Sequence, residues 1–418
     1  MMALNERVPN GWRLGRLQDV AEVVGGSTPS RAKAEYWSGN VSWVAPSELT
    51  ELPGRYLGCS RESISELGLR AAGLRILPPG SILLTSRATI GSTAINKVPV
   101  TTNQGFQSLI PNPDTNSLWL YYSVSAMRRE LKRRSAGSTF LEISRDGVRT
   151  LPILIPPLHE QRAIAAILDS IDEAIERTEE VIAATERLRD ALLHDLLTRG
   201  LPGRHTEYKQ VRGLGTIPAC WNVARLGDVA GINLHSWNPS EEDEAIQYLD
   251  LTAVSGPGLL DEPRQMVASA APSRARRRAR AGDILVSTVR PNLRGFARLR
   301  QAPSNLVVST GFAVVTPNQN VADSFLYHHV MSSHFARFLH DATTGQAYPA
   351  VRSDDVGAYR LPFPPLEEQR SIREILDSID QTIMRYDKNR DTLESFKTST
   401  ANALLSGSVR VGGEDSCE

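Results

Sequence analysis

The side chains best able to do chemistry in this 418-residue chain are arginines gathered in one stretch. Arg264, Arg274, Arg276, Arg277, Arg278, Arg280, Arg290, Arg294, Arg298 and Arg300 are opposed there only by Asp283, and a second basic group comprises Arg128, Arg129, Lys132, Arg133 and Arg134. Guanidinium groups at this density suit a polyanion, with a solvated face as the plain alternative for either cluster alone. Nucleophiles and metal ligands are sparser. Cys59, Cys220 and Cys417 have spacings that fit neither a disulfide framework nor a zinc site. His328, His329 and His334 invite a metal, but neighbours on a predicted helix point to different sides, and no cysteine or carboxylate at ligand spacing completes the set. A phosphate loop of the Gly-x-x-x-x-Gly-Lys-Ser/Thr type is missing, as is an Asn/Asp-Pro-Pro-aromatic loop with a Gly-rich turn for a methyl donor. The expectation is therefore no catalytic, metal-binding or cofactor-binding residue in this chain.

Composition narrows the class. Lys and Arg together number 47 and so do Asp and Glu, which argues against whole-molecule attraction to a polyanion and leaves the work to local segregation of charge. The stretch from Glu160 to Asp195 concentrates carboxylates, including Asp169, Asp172, Glu173, Glu176, Glu179 and Glu180. Apolar runs such as Ile82 to Leu84 fall far short of the roughly 20 residues that a bilayer span needs. With nothing at the N-terminus resembling an export signal, a cytoplasmic location and no membrane partner are expected.

The elements that would position these side chains emerge from a duplication. Pro156-Pro157-Leu158-His159-Glu160-Gln161-Arg162 recurs as Pro364-Pro365-Leu366-Glu367-Glu368-Gln369-Arg370, and Ile167-Leu168-Asp169-Ser170-Ile171-Asp172 recurs unchanged as Ile375-Leu376-Asp377-Ser378-Ile379-Asp380. The match continues upstream through Gly137 with Gly345, Gly105-Phe106 with Gly311-Phe312, and Trp12 with Trp221. Each copy begins with a Gly-, Pro- and Ser-rich portion carrying short β-prone runs such as Val41 to Val44 and Asp283 to Ser287, interrupted by helical stretches at Ser117 to Arg134 and Ser324 to His340. It then passes into one long helix, introduced by Pro-Pro and free of Gly and Pro until Gly200 in the first copy.

A heptad organises both helices. In the first, Ile164, Ile171, Thr178, Thr185 and Leu192 alternate with Ile167, Ala174, Val181 and Leu188, widened by Leu168, Ile175, Ile182 and Leu196. The second repeats this with Ile372, Ile379, Tyr386, Leu393 and Thr400 alternating with Ile375, Thr382, Asn389, Phe396 and Ala403. Stripes of this length outrun a compact domain, so the helices are expected to pack on each other, antiparallel if a pseudo-twofold relates the copies.

The residues resemble the specificity subunits of type I restriction-modification systems. Gly25-Gly26-Ser27-Thr28-Pro29, Tyr36 to Trp43, Gly80 to Gly91, Asn103-Gln104-Gly105-Phe106 and both Pro-Pro-Leu-x-Glu-Gln-Arg helices carry the likeness, in order and over essentially the whole chain. The second copy departs from it, with Gly231-Ile232-Asn233-Leu234-His235 for the first loop and Val289-Arg290-Pro291-Asn292 for Arg87-Ala88-Thr89. The resemblance implies an α+β fold: two mixed α/β target-recognition domains joined by two long antiparallel coiled-coil helices in a pseudo-twofold tandem repeat. The implied boundaries are a first target-recognition domain over 1–155, a spacer helix over 156–200, a second domain over 201–363, a second spacer over 364–407 and a flexible tail over 408–418. It also implies a non-catalytic DNA-binding subunit that reads a bipartite, asymmetric site. Its partners would be double-stranded DNA, two modification subunits with S-adenosylmethionine, and restriction subunits with ATP and Mg. The competing expectation is a self-sufficient methyltransferase or nuclease.

Reading DNA takes cations and amides on phosphates and paired donors and acceptors on base edges. Loop residues of those types are Arg31, Lys33, Arg87, Asn103 and Gln104 in the first domain, and Arg290, Asn292 and Arg294 in the second. Trp12, Trp221, Phe106 and Phe312 occupy equivalent places in both copies and are expected in the core.

Overall fold

A computed structural model describes residues 8–136, 141–239, 244–254, 256, 258, 260–343 and 349–411, with Asp323 described by its backbone alone. Gly137 and Gly345, paired in the repeat, lie outside the described residues. Two compact units divide the chain: residues 1–180 with 387–418, and residues 181–386. Each unit thus holds a globular domain and one end of both long helices, Leu158–Arg199 and Leu366–Leu405.

In the first unit the main sheet runs in the order Ala21–Gly25, Gln107–Pro111, Ile82–Leu84, Thr93–Asn96, Tyr56–Leu57. Its strand Ile82–Leu84 is buried at every position, which explains an unbroken apolar run where a half-exposed strand would alternate. A smaller sheet sets Trp37–Val44 between Glu62–Ile64, antiparallel, and Thr101–Thr102, parallel. The second unit repeats the plan. Ala230–Ile232, Phe312–Pro317, Ile284–Ser287 and Phe296–Arg298 form one sheet, and in the other Ala245–Leu249 lies antiparallel to Arg264–Val267 and parallel to Leu306–Ser309. The expected helical stretches are both broken in two, after Ala126 in the first and at Ser332 in the second, where Ser332 caps Ser333–Asp341 by accepting from the Phe335 amide. Trp12, Trp221, Phe106 and Phe312 are all buried, as expected.

The duplicated motif has the same structural task in each unit. Gln161 donates to the Pro156 carbonyl at 3.0 Å and accepts from the Asn116 amide at 2.9 Å, while Gln369 repeats both bonds with Pro364 at 2.9 Å and Ala322 at 3.1 Å. Glu160 accepts from the Trp12 indole at 3.0 Å and Glu368 from the Trp221 indole at 3.0 Å. Helix start and globular core are thereby joined by buried, fully used polar groups, the arrangement in which such groups stabilise rather than cost. Both helices stop at a glycine in the left-handed region, Gly200 at φ +80° and Gly407 at φ +70°.

Three expectations need correction. The helices do run antiparallel in each unit, with Lys397 on Asp172 at 2.6 Å in the first and Arg189 beside Asp380 at 3.9 Å in the second. The seam, however, is displaced by one residue on one of its two rows. Ile164, Ile171 and Thr178 are buried as expected, but their partners are Leu168, Ile175 and Ile182, whereas Val181 is 39% and Leu188 54% exposed. The second helix does the same, burying Ile372, Leu376, Ile383 and Leu404 while exposing Ile375, Met384 and Phe396. One residue is 100° of helix rotation, and the side chains flanking both rows are apolar enough for either choice to look regular in sequence.

Nor is the stripe left for the partner helix alone. Ile164, Leu168 and Ile171 share a cluster with Trp119, Leu120 and Tyr122 of their own globular domain as well as with Leu404. Finally, the tail expected to be flexible from 408 is held as far as Arg410, whose guanidinium grips Glu160 at 2.6 and 3.0 Å and the Asn10 carbonyl at 2.8 Å. Residues 412–418 lie outside the described residues.

Candidate nucleic-acid interface

Four segments converge in the first unit because their backbones are bonded to one another. Ser27 donates to the Thr102 carbonyl at 3.0 Å, Ser86 to the Gly105 carbonyl at 2.8 Å and Ile143 to the Ser86 carbonyl at 3.0 Å. Glycine is required at position 26, where a Cβ would lie 1.9 Å from the Asn103 carbonyl oxygen. Asn103 turns its side chain back on the loop, accepting from the Gly105 amide at 2.7 Å, and Gln104 accepts from the Thr28 hydroxyl. Arg87 stands half-buried at the bridge to Glu142, before Ala88 in the left-handed region at φ +59°.

Arg31 and Lys33 leave the same loop. The Arg31 guanidinium stacks 3.6 Å from the centre of the Trp37 ring and bonds both oxygens of Glu62 at 2.7 and 2.8 Å, which raises its pKa and lowers that of Glu62. Its hydrogen-bonding fork is therefore occupied, although 55% of the side chain is exposed. Lys33 donates to the Tyr36 hydroxyl at 3.0 Å. Of the five residues singled out in this domain, Asn103 serves the loop's own geometry, Gln104 is tied to Thr28, and Arg31 must share or exchange Glu62 to reach an anion.

The second unit builds the same frame from different side chains. Thr288 donates to the Gly311 carbonyl at 2.8 Å and Val351 to the Thr288 carbonyl at 2.9 Å, matching Ser86 and Ile143 bond for bond. Ser309 accepts from the Gly311 amide at 3.2 Å as Asn103 does from Gly105. Arg290, at φ +48°, thus falls where the first unit has Ala88, and Val289 falls where it has Arg87. The cation has moved by one residue along a common backbone.

Arg290 is exposed at the lip of a groove of about 840 Å³, and Asn292, outside the groove's lining, is exposed two residues further on. Arg274, from the basic stretch, lines it together with Thr252, Thr288, Thr310 and Leu293, which side-chain type alone did not single out because only the fold brings their loops together. Leu293 is 63% exposed at the tip of the turn. Arg294 behaves differently from its neighbours. At φ +53°, on the far side of the short helix Pro291–Leu293 from Arg290, its guanidinium donates to the Met331 carbonyl, so that an anion would have to share this group with the backbone.

The three clustered histidines sit in separate surroundings. His328 bonds Asp377 at 3.0 Å, and His334 spans the Tyr359 hydroxyl at 2.9 Å and the Gly213 carbonyl at 2.8 Å. His329 lies buried 4.8 Å from the Phe325 ring, and burial, reinforced by His334 and His328, lowers its pKa to about 3. The basic cluster at Arg128 to Arg134 is partly neutralised from within, because Arg133 and Arg134 bond Glu130 at 2.6 to 2.8 Å and hold its carboxyl at about 2. Among the described residues no group of three His, Cys, Asp or Glu side chains is placed to hold a metal ion, and no helix is long and apolar enough to cross a membrane.

Known proteins resemble this chain in sequence and in fold. Residues 9–187 and 218–394 match the family described as type I restriction modification DNA specificity domain. Over 239 residues the chain is 36% identical to the type I restriction enzyme MjaIX specificity subunit of Methanocaldococcus jannaschii, covering 56% of this chain and 55% of that protein. It is 23% identical to the MjaVIII specificity subunit of the same organism over 97% of this chain and 94% of that one. Among solved structures, the S subunit of a type I restriction-modification system from M. genitalium superimposes with a TM-score of 0.56 at 16% identity, over 96% of this chain and 97% of that one. A chain solved in work on complex assembly and conformational transition of the type I R-M system gives 0.58 at 20%, over 96% and 100%. At these identities the structural likeness concerns the fold.

Proposed function

The chain belongs to the family of type I restriction-modification DNA specificity domains, and on that footing we propose that it is the non-catalytic subunit that reads a bipartite, asymmetric site in double-stranded DNA. Each unit reads one half-site with the loops around Ser86 and Thr288. The observation that carries this is the shared backbone frame with unshared side chains: bonds equivalent at Ser86 and Thr288 hold Arg87-Ala88 in one unit and Val289-Arg290 in the other. A frame kept for folding while its outward residues change is what two readers of different sequences require.

In the first unit Arg31, Lys33, Arg87 and Gln104 are the reading and phosphate-contacting side chains, with Asn103 shaping the loop. In the second they are Arg290 and Asn292, joined by Arg274, with Arg294 holding the turn. The long helices serve as platform for two modification subunits. Outward-facing Val181, Leu188, Ile375, Met384 and Phe396 give them apolar surface beyond what the seam uses. S-adenosylmethionine, ATP and Mg belong to those modification subunits and to the restriction subunits, and the assembly works in the cytoplasm.

Exchanging residues 217 to 360 for the equivalent region of another such subunit, followed by sequencing methylated sites in the host, tests the reading. One half of the target should change and the other persist. A folded, active complex in which both halves changed would refute independent readout. Methyl transfer by the purified chain alone, incubated with DNA and labelled donor, would refute the non-catalytic assignment.

A further inference from the structure

Both units set a nitrogen-bearing basic side chain on the buried glutamate of the duplicated motif, but they use different groups. In the first it is Arg410, which bonds both Glu160 oxygens at 2.6 and 3.0 Å. In the second it is His205, whose Nε2 lies 2.6 Å from Glu368 Oε1, with Arg204 Nε at 4.0 Å from the other oxygen. A structural need for positive charge explains the arginine completely. It does not explain why the second unit uses a ring that exchanges protons, nor what faces that ring's other nitrogen.

That nitrogen, His205 Nδ1, lies 3.7 Å from Cys220 Sγ. Glu368 already accepts from the Trp221 indole at 3.0 Å, as a carboxylate does, and its bond to Nε2 requires Nε2 to carry the proton. Nδ1 of the neutral ring is then a lone pair directed at the thiol. The chain order around it is also specific. Cys220 follows Gly215–Pro218 and precedes the buried Trp221, at the turn where the first unit has Gly11. The thiol is exposed, while the imidazole beside it is only 9% exposed and is edged by the Trp221 and Tyr208 rings. A nucleophile, a base within reach and a carboxylate fixing the base's tautomer make up the arrangement that activates thiols.

We infer that Cys220 is a modification site for small electrophiles, hydrogen peroxide among them, with His205 as its base and Glu368 as the residue positioning that base. The step balances. The thiol proton passes to Nδ1, sulfur attacks one peroxide oxygen, the S–O bond forms as the O–O bond breaks, and the departing hydroxide takes the proton from His205 to leave as water. Sulfur is oxidised to the sulfenic acid and the peroxide is reduced. Cys59, also exposed, has no such pair beside it among the described residues and serves as an internal reference.

The full-length chain, treated briefly with iodoacetamide and digested, gives the alkylation rate of each cysteine by peptide mass spectrometry. Cys220 should react at least tenfold faster than Cys59, and peroxide followed by dimedone should label Cys220 first. His205→Gln keeps an amide N–H for Glu368 but has no nitrogen able to take a proton. It should bring Cys220 down to the rate of Cys59 and leave Cys59 unchanged. Equal rates for the two cysteines in the unmodified protein, a comparison that needs no variant to fold, would overturn the assignment. So would an undiminished Cys220 rate in a folded His205→Gln protein.

Discussion

The Trp12 indole N–H donates to the Glu160 carboxylate at 3.0 Å although 148 residues separate them. Burial pushes the Glu160 carboxyl up, but hydrogen bonds from Arg410 and Trp12 outweigh it and hold the group below its ordinary value. The folded state therefore gains stability from the ionised form above the unfolded pKa, roughly 4.3, and loses it as pH falls through the lower folded value. Trp12→Phe removes one donor to a charged acceptor and should cost about 1.5 to 3 kcal/mol at pH 7. In a double-mutant cycle with Glu160→Gln by urea unfolding, the coupling should exceed about 1 kcal/mol. Additive losses would mean that the bond contributes nothing of its own.

The helix seam offers a second test, because adjacent residues are assigned opposite surroundings. Ile182 is 7% exposed and Val181 39%. Ile182→Ala should destabilise by about 2 to 4 kcal/mol, through lost transfer energy and a cavity, while Val181→Ala should stay within about 0.5 to 1 kcal/mol. Comparable losses at both positions would restore the row that the heptad in sequence favoured.

How much could be read beforehand follows from the kind of signal each element gives. The duplicated motif was legible because its glutamate and glutamine are buried bonding groups in both copies, so their identity is fixed by partners such as Trp12 and Asn116 rather than by surface drift. The second seam row was not, since Ile167 and Leu168, or Val181 and Ile182, are apolar neighbours and hydrophobicity alone does not choose between them. Among site residues, loop arginines were found by type. The bond from Arg294 to the Met331 carbonyl escaped notice because it depends on two left-handed residues flanking Pro291–Leu293, a backbone choice that proline announces only in part. Arg274 and Thr310 reach the groove from turns 36 residues apart in sequence, joined by the bond from the Thr310 amide to the Arg274 carbonyl at 2.8 Å that follows the pairing of Ala275–Arg278 with Leu306–Ser309.

His329 makes stability depend on pH with a definite sign. Burial lowers its pKa to about 3, whereas the unfolded side chain takes a proton near 6.5. Between those values the unfolded chain binds more protons, so this residue makes stability fall as pH drops below about 6.5, by at most about 1.4 kcal/mol per unit. His329→Phe should flatten the dependence between pH 6.5 and 4, whatever its effect at pH 7. A variant with the same slope as the unmodified protein, from urea midpoints across that range, would show that His329 is not held neutral.

The two arginines flanking the turn should fail differently. Arg290→Ala removes an exposed guanidinium at the groove, and in the assembled complex it should reduce the salt dependence of DNA binding by about one counterion or relax one base position by about 1 to 3 kcal/mol. Arg294→Ala cuts the tie to the Met331 carbonyl and should weaken binding to all sequences alike with the salt slope unchanged. Fluorescence anisotropy at several salt concentrations separates the two. A shallower slope for Arg294→Ala would make that residue a phosphate contact as well.

The length of the helices should set the gap between the half-sites, since they are the elements common to both units. Arg189 faces Asp380 in the antiparallel pair of the second unit, so Ala184, five residues earlier, lies opposite Arg385, five residues later. Seven heptad-matched residues inserted after Ala184 therefore need a matching seven after Met384, not after a residue chosen from the sequence period alone. The insertion lengthens the pair by about 10 Å at 1.5 Å per residue and rotates the far end by only about 20°. At about 3.4 Å per base pair that widens the gap by up to about three base pairs, less if the helices are inclined to the DNA axis or the DNA bends. The half-sites should be unchanged, because no residue of the loops around Ser86 or Thr288 is touched. Methylome sequencing of cells carrying the lengthened subunit reads both features at once. An active complex that kept the original gap would show that the spacing is fixed elsewhere than in the helices.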